Sequence, residues 1–107
     1  MPSIACTLGP DEMPRRAEQI RAIGRDALLD VERAERRAAL RFRLDPAVRV
    51  RVEEIVAAES RCCAFLDFDL SVTSDAIVLA LRAPEGGEPA MHLLVDLFAA
   101  AAPGYPS

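Results

Sequence analysis

Apolar and polar positions alternate at the start of the chain, where Ile4, Cys6 and Leu8 are separated by Ala5 and Thr7; this period of two predicts a short strand that Gly9-Pro10 stops. Asp11 is placed to cap a following helix, in which Met13, Ala17, Ile20 and Ile23 recur at helical spacing, Pro14 fits a first turn and Gly24 reads as an end signal. Leu29, Val31 and Arg33, then Leu40, Phe42 and Leu44 alternating with Arg41 and Arg43, predict a hairpin turning near Glu35-Arg36.

Asp45-Pro46 opens a second helix whose Val48, Val52, Ile55, Glu59, Cys62 and Leu66 fall on one stripe at spacings of three and four. Leu66, Phe68, Leu70 and Val72 alternate with Asp67, Asp69 and Ser71, and Ile77, Leu79 and Leu81 answer them across a turn at Ser74-Asp75. Pro89, Met91, Leu94, Val95 and Phe98 outline a third amphipathic helix. The predicted order is β-α-β-β-α-β-β-α. It corresponds to a ferredoxin-like α+β sandwich with a five-stranded antiparallel sheet and three helices on one face. Leu40, Phe42, Ile55, Phe68, Leu70, Leu79, Leu94 and Phe98 are its expected core. Residues 1–102 are read as one domain and 103–107, rich in helix breakers, as a flexible tail.

The length of 107 residues suits one domain with its own core. No apolar stretch approaches a bilayer span and the first residues lack a secretory pattern, so a cytoplasmic location is expected. The net charge is −4, there is no lysine, and the arginines are interspersed with acids, which argues against a nucleic-acid partner. Arg15-Arg16 and Arg36-Arg37 read as solvated surface. The open sheet face, with charged and small residues, is the surface expected to serve a homodimer if one forms.

Three cysteines, Cys6, Cys62 and Cys63, are the chemically pointed feature. In a reducing compartment they read as metal ligands or redox thiols rather than a disulfide framework. In the expected topology the first strand and the second helix end at one edge, so all three thiols converge. Neighbours on a helix point about 100° apart, so the helix must end or unwind at Cys62-Cys63 for both to face one ligand. Glu59, three and four residues earlier, is a candidate fourth ligand or proton acceptor; the alternative is a carboxylate bonded to the amides of a neighbouring turn. His92 starts at the same edge and could add a ligand, although it lies off the apolar stripe and reads more simply as solvated. Asp67 and Asp69 read as surface charges. The bland alternative for the cysteines is burial as small hydrophobes. Gly86-Gly87 has no phosphate-binding signature around it, and one histidine supports no Ser-His-Asp set.

Glu59-Ser60-Arg61-Cys62-Cys63-Ala64-Phe65-Leu66, with the early Ala5-Cys6-Thr7-Leu8, resembles a group of small uncharacterised bacterial proteins associated with heavy-metal, especially mercury, resistance neighbourhoods. The resemblance implies a thiol-dependent role toward a soft metal through Cys6, Glu59, Cys62 and Cys63. The position of Cys6, just before the first expected helix, also resembles that in heavy-metal-associated domains of ferredoxin-like fold, but their paired CxxC is absent. The leading expectation is binding of a soft metal or metalloid, Hg, Cu(I), As(III) or Zn, by a three-cysteine thiolate site. A thiol oxidoreductase or lyase-like enzyme, and an interaction or regulatory module with buried structural cysteines, are the alternatives.

Overall fold

The computed structural model describes residues 12–100. Its elements are α1 (Glu12–Ala27), β1 (Leu28–Arg33), β2 (Arg37–Arg43), α2 (Pro46–Cys62), β3 (Asp67–Val72), β4 (Ala76–Arg82) and α3 (Glu88–Ala99). The antiparallel sheet has the order β1-β2-β4-β3.

Among the described residues four strands, rather than the expected five, form the sheet, which corrects the predicted architecture. The expected strand around Ile4 to Leu8, and with it Cys6, lies outside the described residues, as does the expected tail. The ferredoxin-like interleaving also fails. It needs the first strand between later ones, yet β2 pairs directly with β4, and β1 and β3 fill their other sides. No interior place is left. The alternating pattern identified which residues face the core, but such a pattern says nothing about which buried strand sits next to which.

The arrangement is two αββ units followed by a helix. Each unit ends in a hairpin, and the inner strands β2 and β4 join the units. Register gives the apolar face matching rows: Val31, Leu40, Leu79 and Leu70 stand side by side across the sheet, and Leu28, Phe42, Ile77 and Val72 form another. Leu40, Phe42, Ile77, Leu79 and Leu81 are buried beneath the helices. Phe68 and Leu70, expected in the core, are only partly buried, and Val72 is exposed, because β3 is an edge strand. Phe42 meets Phe98 of α3 edge to face at 5.7 Å, a favoured aromatic geometry.

The start signals of α2 and α3 act as predicted, while Asp11, the expected cap of the first helix, lies outside the described residues. Asp45 Oδ1 accepts the backbone N–H groups of Ala47 and Val48, satisfying donors at the start of α2 that have no helical partner. Met91, Leu94, Val95 and Phe98 are the buried stripe of α3. Gly24, expected to end the first helix, instead lies within α1. A Cβ there would stand 1.8 Å from the Phe98 carbonyl oxygen. The missing side chain is therefore what lets α1 and α3 touch.

Candidate functional site

The site lies at the C-terminal end of α2. Val48, Val52, Ile55, Glu59 and Cys62 are its buried residues, so one stripe carries both the packing side chains and the chemically active ones. The helix ends at Cys62. Cys63 is its cap, with φ −116° and ψ 64°, and its N–H donates to the Glu59 carbonyl at 2.7 Å. The Leu66 N–H then donates to the Cys63 carbonyl at 3.0 Å, closing a short turn before β3. Leaving helical geometry at Cys63 is the change the doublet requires if both side chains are to face inward, and each residue is only 6% exposed.

Cys62 is disulfide-bonded. This departs from the expectation of three reduced thiols, which rested on the inferred compartment rather than on geometry. Cys63 keeps its thiol. Burial pushes that thiol up to about 11, the Glu59 charge adds to the rise, and the Arg16 charge opposes it. At neutral pH the sulfur is therefore protonated, which makes it a poor spontaneous nucleophile, although a soft ion can still displace its proton.

Glu59 is the buried charged residue of the described core, 6% exposed. Its carboxylate Oε2 accepts from the Arg16 guanidinium Nη2, an ion pair joining the first turns of α1 to the last turn of α2. The Arg16 side chain is itself only 16% exposed. Desolvation raises the Glu59 pKa, and the charge and hydrogen bond of Arg16 counter it. The predicted bond from Glu59 to neighbouring amides is thus replaced by a long-range partner. Arg16, read from the sequence as solvated surface, is the site residue that reading missed; its helical position four residues before the buried Ile20 carried no signal for a partner 43 residues away.

His92 is placed differently. Its Nε2 donates to the Glu35 carbonyl at 3.2 Å, in the turn between β1 and β2. Among the described residues, no group of three or more His, Cys, Asp or Glu side chains could hold a metal ion. Cys6, which would complete the expected set, lies outside those residues.

A trough of about 580 Å³ occupies the opposite, open face of the sheet. Ala39 and Ala80, partners in register, form its floor, and Glu32, Arg37, Asp67, Asp69 and Arg82 stand around it. No helix among the described residues is long and apolar enough to cross a membrane. Comparison with protein-family models, with curated proteins and with solved structures finds no match.

Proposed function

We propose that the chain is a thiol-dependent protein that binds a soft metal or metalloid ion, such as Hg(II), Cu(I), As(III) or Zn(II), through its cysteines in the reduced state. The observation that carries this reading is the disulfide at Cys62 beside the buried Cys63 thiol. A disulfide brings two sulfurs to about 2.05 Å. After reduction the same two can separate to about 4 Å by rotamer change, the spacing at which two thiolates share one ion with bonds of about 2.3 Å. Cys6, Cys62 and Cys63 are the proposed ligand set. Glu59 is not needed as a ligand, because Arg16 already engages it.

A second reading, a thiol oxidoreductase, is favoured by the disulfide itself, since disulfides in reducing compartments are usually catalytic or redox-sensing. The protonated state of Cys63 argues against that thiol as the resolving group. Anaerobic titration of the reduced chain with Hg(II), Cu(I), Zn(II) and arsenite, read by native mass spectrometry, tests the proposal. Tight binding of at least one ion, lost in the oxidised chain and in Cys62→Ser, is expected. Absence of binding by every ion, with turnover of a small disulfide substrate, would favour the second reading.

A further inference from the structure

We infer that the trough on the open face of the sheet binds a small zwitterion, an aliphatic molecule with a carboxylate at one end and an ammonium at the other. The inference is independent of soft-ion binding, since Cys62 and Cys63 belong to the core on the covered side of the sheet.

Residues paired in register across a sheet share a face, and a depression forms where the central ones are small. Ala39 of β2 and Ala80 of β4 are such a pair. In the same row Glu32 stands beside Ala39 on β1, and Asp69 stands beside Ala80 on β3. The row reads acid, methyl, methyl, acid. Two positions along the strands, the next row on this face sets Arg37 beside Arg82, with Asp67 on the outer side of Arg82. The five charged residues are exposed and the two alanines half-buried. The space they border, about 580 Å³, falls within the range of roughly 300–1,000 Å³ usual for small-molecule sites.

The two rows differ in the sign of their charge. Arg37 and Arg82 face each other directly, with Cα atoms about 5 Å apart, and like charges so placed repel. Asp67 offsets one of the two, so this end of the trough keeps a net positive charge. A carboxylate set between the arginines relieves their repulsion, and the planar guanidinium fork matches its geometry. The Glu32 and Asp69 row is negative and attracts an ammonium. Beyond that row Arg41 is engaged by Asp30 at 3.4 Å, so the far end presents an ion pair rather than a single sign of charge.

Spacing then selects the ligand. Rows two residues apart along a strand are separated by about 7 Å, so carboxylate and ammonium must be held apart by an aliphatic chain. The Ala39 and Ala80 methyl groups and the apolar stems of the arginines receive that chain. A dicarboxylate would set one end against the acids, and a diamine would set one end against the arginines. The zwitterion meets opposite charge at both.

The probe is ε-aminocaproate, titrated into the ¹⁵N-labelled full chain and read by the backbone amide shifts of Arg37, Ala39, Ala80 and Arg82. Adipate, cadaverine and glycine are the comparisons: two carboxylates, two amines, and both charges too close together. Saturable shifts at these four amides are expected, with ε-aminocaproate binding roughly fivefold or more tighter than each comparison, the scale of one exposed charge contact. Arg82→Gln should weaken ε-aminocaproate roughly three- to fivefold and leave cadaverine no weaker, and the Glu32→Gln, Asp69→Asn double variant should do the reverse, sparing adipate. Ala80→Leu, which fills the floor, should abolish the saturable shifts while amides of the helices keep their positions. The exposed charge variants carry the test on their own if Ala80→Leu does not fold. Equal affinity for all four compounds, full binding in Ala80→Leu, or shifts that follow protein concentration and ignore ε-aminocaproate overturn the inference, the last assigning this face to a second copy of the chain.

Discussion

The thiol of Cys63 illustrates how one buried residue ties site chemistry to pH. Its pKa in the fold, about 11, lies above the ordinary value of 9.0, so the fold favours the protonated form. The stabilisation this represents is fully present below about pH 9 and is lost as pH rises through about 11. Urea unfolding of the reduced protein is expected to show a midpoint falling between those values, and the fall should shrink in Cys63→Ala. By the same logic, iodoacetamide at pH 7.5 should label Cys63 far more slowly than an unperturbed cysteine, read by peptide mass mapping. The position of this residue was legible in the sequence, since Glu59 and the doublet share the spacing of the apolar stripe. The pairing of Glu59 with Arg16 was not. Helical spacing reports which face a residue occupies, whereas the partner of a buried charge is set by how two distant helices cross.

At the scale of elements, the local signals were read well and their long-range consequences less so. Asp45, Pro89 and the alternation of Leu40 with Phe42 and of Ile77, Leu79 and Leu81 do in the structure what their local chemistry requires, whereas Leu29, expected on the apolar face, is exposed beside the irregularity in β1. Gly24 does not, because a glycine ending a helix and a glycine admitting a second helix look alike in sequence. The distinction has a measurable sign. On helix propensity alone, Gly24→Ala in mid-helix would stabilise by about 1 kcal/mol. Since the new methyl would meet the backbone of Phe98, α1 and α3 must move apart. The net result should be a loss of about 2 kcal/mol, measured by urea denaturation. Asp45→Ala should cost about 1 kcal/mol in the same assay through the two unmet backbone donors of α2.

At the scale of the whole molecule, the helices and the open face divide the work. The covered face holds the site and the core, while the open face carries Asp30, Glu32, Arg37, Arg41, Asp67, Asp69 and Arg82 around small central residues. Face-to-face pairing of two copies would bury many of these charges, so association through this surface should be weak and sensitive to salt, which sedimentation equilibrium at two ionic strengths checks. The disulfide belongs to this scale as well. Reduction of the disulfide at Cys62 should lower stability by about 2–4 kcal/mol. Cys62→Ser should match the reduced wild type and be insensitive to reductant.

The doubled αββ layout also bears on how the chain reaches its native state. Each hairpin pairs strands joined by a short turn, so β1 with β2 and β3 with β4 can find one another locally. The β2–β4 seam, where Leu40 meets Leu79, requires two separately formed halves to dock across all of α2. Closing that distance carries an entropic cost before any contact compensates it, which places the seam at the kinetic bottleneck. Leu79→Ala should therefore slow refolding in stopped-flow measurements, whereas a change on the edge strand β3 such as Leu70→Ala should mainly hasten unfolding.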